Sequence, residues 1–410
     1  MYPDLSYFLH DIFGTSPDNW TSIIKTFGFF LALAFLGSGW VLRSELKRYE
    51  NEGKLSSVKK KVQIKEGFNL QELLINGLLL FIAGGKVPYI INNFSEMKAD
   101  PASVIFSSSG IWLIGFVAAA AYVIYYYMTQ KGKKSSTKVQ QVTIHPYEKT
   151  GDIVIVAAIS GIVGARLFSI FENFDAFIRD PVGNIFSGSG LTIYGGLILA
   201  FVVVYWYIKK WGIKPIHMMD ISGMAILVGY AIGRLGCQFS GDGDWGIMAA
   251  AQPEWWFLPD WLWAYDYPNN VTNTDAILAH CDSAKFSELR QQGIRNIETL
   301  CEQSCGIRYC HHLSAPVYPT PVYETILSFA GFGILWILRK RIQIAGMLFF
   351  MYMVYNGIER FFIEEIRVNE RYDFAGLYWS QAQYISVLFA ITGIAGIFYL
   401  WHIHKKKAKT

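Results

Sequence analysis

The sequence predicts an all-α polytopic membrane protein with about nine transmembrane helices. Of its 410 residues, 52% are apolar and only 17% are charged, whereas soluble proteins carry about 25% charged residues. The apolar residues gather in runs of about twenty, the length at which a helix crosses a bilayer. This pattern excludes a soluble globular enzyme, a disordered chain and a nucleic-acid-binding domain.

Nine apolar segments account for the prediction. In hydrocarbon every backbone amide must be satisfied internally, so each segment is expected to be helical. Residues 1–21 contain no Lys or Arg, so the basic region of a cleavable signal peptide is missing. The predicted segments are 22–42, 70–92, 104–128, 152–171, 189–208, 218–237, 321–338, 344–363 and 382–402.

The basic residues between these segments predict the orientation. One alternate set of loops holds 23 of the 36 Lys and Arg residues, and the opposite set holds eight. The richer side is expected to be cytoplasmic, which places the N-terminus outside and the C-terminus in the cytoplasm. The richer loops are 43–66, 129–151, 209–214, 339–341 and 403–410.

Five basic residues fall within the predicted segments, toward their outer ends: Lys25, Lys86, Arg166, Arg234 and Arg360. A charge inside a span costs at least a few kcal/mol and marks a functional hypothesis; the alternative is that the side chain extends to the interface. Arginines bind phosphate in a bidentate manner. Three arginines at one depth therefore predict a site for a phospholipid headgroup in the outer leaflet.

The sequence contains an internal repeat. Residues 82–132 and 162–212 align without gaps, with 18 of 51 positions identical, and each copy reads as helix, short outer loop, helix. An even number of helices makes this a parallel repeat, whereas inverted repeats would have pointed to alternating access. The copies differ where Arg166 replaces Lys86 and Tyr194 replaces Ile114, so we expect the second copy to carry the chemistry.

A polar insert, about 238–320, separates the sixth and seventh segments and is expected to form a periplasmic cap. Its four cysteines, on the oxidising side, predict two disulfides of undetermined pairing. The alternative is a zinc site that adds His311 and His312. Its aromatic run, Trp255-Trp256-Phe257-Leu258 with Trp261 and Trp263, suits either a segment resting on the membrane interface or a small aromatic core. The cysteines are Cys281, Cys301, Cys305 and Cys310.

Four groups of residues predicted to lie at the outer ends of helices could carry chemistry. The glycine-rich stretch 233–246 holds Arg234 and Asp242, and its backbone could approach a ligand closely. Arg360 and Glu364 are four residues apart and so share a helix face. The other two groups are 190–196, with Tyr194, and 321–324, with Tyr323 and Glu324.

These motifs together resemble the prolipoprotein diacylglyceryl transferase family. Residues 233–246 resemble its pattern Gly-Arg-x-Gly-Asn-Phe-x-Asn-Gly-Glu-x-x-Gly, and 164–167 resemble its Gly-Ala-Arg-Leu helix. Residues 319–324, 360–367 and 380–386 are similar to three further family elements. The resemblance covers helix one and helices four to nine, which implies a seven-helix core to which this chain adds a duplicated helix pair and the insert.

The chain departs from the family pattern at several positions. The Asn of the glycine-rich motif is Cys237, its Glu is Asp242, and one residue is added before Gly246. Tyr194 replaces the family His, and Asn356 stands where a Tyr is usual. The identity of the catalytic base is therefore less well supported than headgroup binding.

The resemblance implies transfer of diacylglyceryl from phosphatidylglycerol to the lipobox cysteine of a preprolipoprotein, forming a thioether and releasing glycerol phosphate. It implies a bacterial inner-membrane enzyme whose active site faces the periplasm, with no cofactor and no metal. Catalytic roles are expected for Arg234, Arg360, Tyr194, Asp242 and Glu364. Substrate binding is expected for Arg166, Gly195, Gly196, Gly236, Cys237, Gly241, Gly246, Tyr323, Glu324, Asn356 and Arg367.

Two other functions remain open from the sequence. One is an enzyme of the same fold that uses another lipid or acceptor, and the other is a lipid-binding transporter or scaffold without chemistry. We divide the chain into five segments: 1–69 (helix one and a basic loop), 70–151 (the extra helix pair), 152–237 (helices four to six), 238–320 (the insert) and 321–410 (helices seven to nine).

Overall fold

A computed structural model describes all residues except 18, 67–68, 100–103, 106, 132–135, 187–191, 273–282, 293–296, 306–312, 314, 375 and 408–410. Its helices, in chain order, are α1 (Leu5–Phe13), α2 (Thr26–Asn51), α3 (Leu70–Asn92), α4 (Phe94–Ala99), α5 (Trp112–Gln130), α6 (Thr150–Glu172), α7 (Phe174–Arg179), α8 (Pro181–Phe186), α9 (Ile193–Lys210), α10 (Pro215–Ser240), α11 (Ser283–Gln291), α12 (Ile297–Cys305), α13 (Thr320–Leu338), α14 (Met347–Glu365) and α15 (Gln381–Lys407). The strands are β1 (Val58–Glu66), β2 (Ser136–Ile144), β3 (Arg371–Phe374) and β4 (Leu377–Ser380).

Each of the nine predicted apolar segments overlaps a helix: α2, α3, α5, α6, α9, α10, α13, α14 or α15. Within the described part of the chain, seven helices are long and apolar enough to cross a membrane, and α9 and α14 are not among them. α14 carries four charged residues in its last two turns, at positions 359, 360, 364 and 365. The chain is therefore a mainly helical, multi-pass membrane protein, while the number of nine spans stays a prediction.

The chain forms two compact units, of which the first comprises Met1–Glu52 and Ile213–Thr410. At its centre α10 packs against α2, α13 and α14, and α15 packs along α14. The core contains apolar side chains of all four inner helices, among them Val41, Met224, Leu335 and Leu348. This bundle fixes the ends of α10, α13 and α14 next to one another, which is what positions the site described below.

The second unit, Gly53–Gly212, contains both copies of the sequence repeat. α3 pairs with α5 in the first copy, and α6 pairs with α9 in the second. The matching glycines lie at the two helix crossings: a Cβ on Gly84 would lie 2.9 Å from the Cα of Gly115, and a Cβ on Gly164 would meet the backbone of Gly195. The repeat thus preserves the small residues that let two backbones approach.

Four short strands are an addition to the predicted helices. β1 and β2 form an antiparallel pair, from Val58 opposite Ile144 to Glu66 opposite Ser136, and β3 pairs with β4. The first pair arises from segments predicted only as basic loops. Their Val, Ile and Thr residues are spaced among Lys and Gln, a composition that favours strands, but they contain no long apolar run.

The insert belongs to the first unit and includes α11 and α12. Cys301 lies buried in α12 and is disulfide-bonded, which favours the disulfide interpretation over zinc ligation. Cys281, Cys310, His311 and His312 lie outside the described residues. The pairing of the four cysteines therefore stays a prediction.

Candidate active site

Three arginine side chains meet at the carboxylate of Glu324, which lies in the first turns of α13. Its side chain is 0% exposed, and its Oε1 accepts hydrogen bonds from Nη1 of Arg360 and Nη1 of Arg367, each at 3.1 Å. Arg234 of α10 forms an ion pair with the other carboxylate oxygen. Glu324 therefore joins α10, α13 and the end of α14 at one place.

Asp244 is a second carboxylate at the same place. Its Oδ1 accepts a hydrogen bond from Nη2 of Arg367 at 2.8 Å, and its Oδ2 pairs with Nη1 of Arg234. Arg234 and Arg367 are thus each held by two carboxylates. We refer to Arg234, Arg360, Arg367, Glu324 and Asp244 as the arginine–carboxylate cluster.

The loop that follows α10 delivers Asp244 to the cluster. Gly241 ends α10 in the left-handed conformation at φ 64°, a conformation that glycine adopts at little cost. Further along, the carbonyl of Asp244 accepts a hydrogen bond from Oγ1 of Thr320 at 3.0 Å, at the start of α13. The loop is therefore fixed at both ends, first to α10 and then to α13.

Gly246 allows the same loop to contact the end of α14. Its N–H donates to the carbonyl of Tyr318 at 2.9 Å, and the N–H of Ile247 donates to the carbonyl of Ile366 at 2.8 Å. A Cβ on Gly246 would lie 2.5 Å from that Ile366 oxygen. Only glycine fits here, because a side chain would separate the loop from the residue that precedes Arg367.

Polar neighbours orient the cluster. Nη2 of Arg360 pairs with Glu364 at 2.9 Å, as their four-residue spacing predicts, and Nδ2 of Asn369 donates to Glu364 at 2.5 Å. The Tyr230 hydroxyl donates to Glu324 at 2.9 Å and accepts from Nε of Arg234 at 3.1 Å. Such bonds to charged groups are stronger than neutral ones.

The two aspartates of the loop have different electrostatic environments. Burial alone would raise the pKa of Asp244, but the charges of Arg234 and Arg367 outweigh it and hold that pKa below its ordinary value. Burial raises the pKa of Asp242; a hydrogen bond with the Cys237 thiol partly offsets this, and the charge of Asp244 raises it further. Asp244 therefore stays ionised as a partner of arginines, while Asp242 binds a proton more readily.

The arginines keep donors for a ligand. A guanidinium carries five N–H groups, and no described residue accepts a hydrogen bond from the buried Nε of Arg367. Arg360 is the most accessible of the three, with 25% of its side chain exposed against 11% for Arg234 and 10% for Arg367. The cluster can therefore present charged N–H donors to an anion that arrives from the side of Arg360.

Cys237 lies beside the cluster with a free, buried thiol. Its Sγ lies 3.6 Å from Nη1 of Arg234 and 3.7 Å from Oδ2 of Asp244. Among the described residues, ligand atoms of Cys237, Asp242 and Asp244 lie within 4.8 Å of one another, a spacing that could hold a metal ion. Because Arg234 and Arg367 already neutralise Asp244, a cation there would face two positive charges.

The other predicted site residues are more dispersed. Gly236 packs against Phe30 of α2, the hydroxyl of Tyr323 donates to the carbonyl of Leu262 in the insert at 2.5 Å, and Asn356 lies half-buried one turn before Arg360. In the second unit, Arg166 lies half-buried in α6, Tyr194 belongs to the first turn of α9, and Gly195 and Gly196 pack closely on α6.

Sequence reasoning missed three members of this site. Asp244, rather than Asp242, is the loop carboxylate that pairs with the arginines. This chain has one more residue before Gly246 than the family motif has, and that difference indicated that the acidic position could be displaced along the sequence. Tyr230 lies four residues before Arg234, so helical spacing could have identified it. Asn369 carried no signal, because its contact with Glu364 depends on the turn after α14.

Comparison with known proteins identifies the family. A family model described as prolipoprotein diacylglyceryl transferase matches residues 110–399. The phosphatidylglycerol–prolipoprotein diacylglyceryl transferase of Lysinibacillus sphaericus is 26% identical over 256 residues, 62% of this chain and 77% of that protein. The enzyme of the same name from Staphylococcus carnosus is 24% identical over 302 residues, 73% of this chain and 90% of that protein. A third, from Clostridium botulinum, is 26% identical over 265 residues, 64% and 84% of the two chains.

The matched region contains the whole arginine–carboxylate cluster and both the loop and the helices that position it. With more than half of the sequence matched, the chain belongs to the prolipoprotein diacylglyceryl transferase family and is a transferase.

Proposed function

We propose that this protein transfers the diacylglyceryl group of phosphatidylglycerol to the lipobox cysteine thiol of preprolipoproteins, the first step of bacterial lipoprotein maturation. The thiol sulfur attacks the glyceryl carbon, the C–S bond forms, and the C–O bond to phosphate breaks. Glycerol phosphate leaves with the electron pair. The observation that carries the proposal is the convergence of three arginines on Glu324 in a chain of this family.

The arginines are suited to stabilise the leaving group. Negative charge grows on the phosphate as the C–O bond breaks, and donors fixed in advance stabilise such charge most effectively in a site that excludes water. Arg234 and Arg367 are held rigidly by two carboxylates each. Arg360 is the most accessible of the three, so we assign it the first contact with the phosphodiester.

The thiol must lose its proton to become a nucleophile, and three residues were candidates for the base. Glu364 pairs with Arg360 and accepts a hydrogen bond from Asn369, so we assign it the role of orienting Arg360. A tyrosine such as Tyr194 is a weak base at neutral pH. We therefore assign the base to Asp242, whose raised pKa brings it closer to that of a thiol.

We further propose nine membrane spans with the N-terminus outside and the active site facing the periplasm. The distribution of Lys and Arg along the sequence supports this orientation. Since Arg234 lies near the end of α10, Glu324 near the start of α13 and Arg360 near the end of α14, the cluster occupies one end of the bundle. That end would face the outer leaflet of the bacterial inner membrane.

Residues of the second unit remain part of the proposal. Arg166, Gly195 and Gly196 are assigned to substrate binding because they stand at positions of the family motifs, and Tyr194 stands at the position of the catalytic family His. Arg166→Ala tests this role, since it is expected to weaken binding of phosphatidylglycerol, measured by co-purified lipid or by the concentration of lipid that half-saturates lipidation.

One observation favours a second candidate, a transferase that uses another lipid or acceptor. Cys237 replaces a family Asn and contacts Arg234, so the polar lining next to the headgroup differs from the family pattern. Membership of a transferase family argues against the remaining alternative, a non-catalytic scaffold or transporter.

Lipidation of a synthetic lipobox peptide in vesicles tests the proposal. With phosphatidylglycerol as donor, mass spectrometry should show the peptide with one diacylglyceryl thioether, and an equimolar amount of glycerol phosphate should appear. Vesicles of phosphatidylethanolamine alone should give no product. Equal product from both donors would favour the second candidate, and no thioether from either would contradict the proposal.

A further inference from the structure

The insert carries an exposed aromatic surface that the transfer reaction does not use. We call the four exposed side chains of this surface, Trp255, Phe257, Leu258 and Trp261, the aromatic tip. Phe257 is 87% exposed and Trp255 70%, and Leu258 and Trp261 are also exposed. Apolar side chains that stand together on a surface mark a site of interaction.

The tip stands on an ordered base. Behind it, Trp256 and Trp263 contact each other edge to face at 5.0 Å, and Trp263 contacts Tyr318 at 5.6 Å. The indole of Trp263 donates to the carbonyl of Ala250 at 2.8 Å. The aromatic run therefore has an inner layer that is packed and an outer layer that the fold leaves exposed.

Hydrogen bonds attach this base to the start of a membrane-spanning helix. Tyr323, in the first turn of α13, donates to the carbonyl of Leu262 at 2.5 Å. Tyr265 and Val317 exchange backbone hydrogen bonds at 2.9 and 3.0 Å. α13 is apolar enough to cross the bilayer, and a base bonded to its first turn therefore places the tip near one end of a candidate membrane span.

The charge near the tip identifies the partner. No Lys or Arg occurs between Arg234 and Lys285, and the nearest charges are Glu254 and Asp260. A segment whose sequence holds no cations does not favour acidic proteins or anionic headgroups, whereas tryptophans at the end of a span favour the membrane–water interface. We propose that the aromatic tip inserts into the outer-leaflet interface of the bilayer.

Insertion of the tip would set the depth of the active site relative to the lipid phosphates. Within the same loop, the N–H of Ile247 donates to Ile366, and Gly246 pairs with Arg367. A tip fixed in the interface therefore fixes the depth of Arg367 relative to lipid phosphates. This inference depends on α13 spanning the membrane and not on the proposed transfer chemistry.

Fluorescence quenching in reconstituted vesicles tests the insertion. A Phe257→Cys variant of the full chain carries an NBD label, with Glu288→Cys, exposed on the polar helix α11, as the matched control; the unmutated chain, treated in the same way, measures any label on the native cysteines such as Cys237. Lipids spin-labelled near the headgroup should quench the label at 257 at least threefold more than the label at 288, and aqueous iodide should show the reverse order. Trp255→Cys serves as a second reporter if the first variant is not folded.

Two outcomes would overturn the proposal. One is quenching by iodide at position 257 as efficient as at position 288, with no effect of lipid probes. The other is a label at position 257 that is protected from iodide quenching only after a lipobox peptide is added. That result would make the tip a docking surface for the protein substrate. Because neither readout requires turnover, failure of the transferase proposal would leave the quenching result unchanged.

Discussion

Glu324 is the residue on which the site depends most. It has no exposed side-chain surface and neutralises parts of three guanidinium groups. Removing one partner of a buried ion pair costs about 3–5 kcal/mol, because the remaining charge is left without compensation. Glu324 is therefore a structural requirement of the arginine–carboxylate cluster before any substrate binds.

A Glu324→Gln variant should lose both stability and lipidation activity. Glutamine keeps the shape but not the charge, so we expect a loss of about 3 kcal/mol in the free energy of unfolding, measured by thermal unfolding in detergent. The control is Glu52→Gln, an exposed carboxylate that lies 2.7 Å from Arg48 and whose loss should cost less than about 1 kcal/mol. Equal stability of the two variants would contradict the account.

Asp242→Asn tests the assignment of the base. A base acts only when ionised, so the wild-type rate should rise with pH through the raised pKa of Asp242 and level off above it. The variant should be about 10²–10⁴-fold slower and should lack this rise in its pH–rate profile. A variant with the wild-type profile and rate would exclude Asp242 as the base.

At the scale of single residues, the sequence motifs predicted that Arg360 pairs with Glu364. They also predicted functional roles for Arg234, Arg360, Arg367 and Glu324. The pairing of Asp244 with Arg367 could not be predicted, since it joins residues 123 positions apart. It depends on the loop passing between the ends of α13 and α14, which is a property of the folded chain rather than of a local pattern.

At the scale of elements, the helical hairpins of the repeat depend on small residues. A Cβ on Gly164 would lie 2.6 Å from Cβ of Leu199, while a Cβ on Gly161, one turn earlier, would find its nearest neighbour 4.0 Å away. The same helix α6 thus offers one position that is closed to a methyl group and one that is open.

Gly164→Ala should destabilise the protein by about 1–3 kcal/mol, because the added methyl group forces α6 and α9 apart. Gly161→Ala should be neutral or stabilising, since alanine favours helix by about 1 kcal/mol over glycine. Thermal unfolding of both variants in the same detergent measures the difference. Equal unfolding temperatures would show that the two helices do not pack as described.

Helices were predictable where long apolar runs occurred, because the bilayer admits few other structures. Strands β1 and β2 were not, because their pairing joins segments on either side of a helical hairpin and neither segment has a hydrophobic signal of its own. The aromatic run likewise left two interpretations open. The structure shows that Trp256 and Trp263 pack inward while Trp255 and Phe257 remain exposed.

At the scale of the whole molecule, the uneven distribution of Lys and Arg predicts opposite locations for the two termini. A cysteine introduced at Ser16 or at Lys405, both exposed, would report this in sealed, right-side-out vesicles, with the unmutated chain measuring the background from the native cysteines. A membrane-impermeant thiol reagent should label Ser16→Cys in intact vesicles and Lys405→Cys only after permeabilisation. Labelling of both positions in intact vesicles would contradict an odd number of spans.

The most direct test of the central claim compares two arginines that lie 11 residues apart. Arg360 belongs to the cluster, whereas Arg371 pairs with Glu365 at 3.0 Å outside it. Removing a charge-stabilising donor typically slows catalysis about 10²–10³-fold. In vesicles of phosphatidylglycerol, Arg360→Ala should slow lipidation of the lipobox peptide by at least about 100-fold, and Arg371→Ala should keep the wild-type rate. Wild-type activity in Arg360→Ala, or equal loss in both, would contradict the claim that the cluster acts on the phosphate.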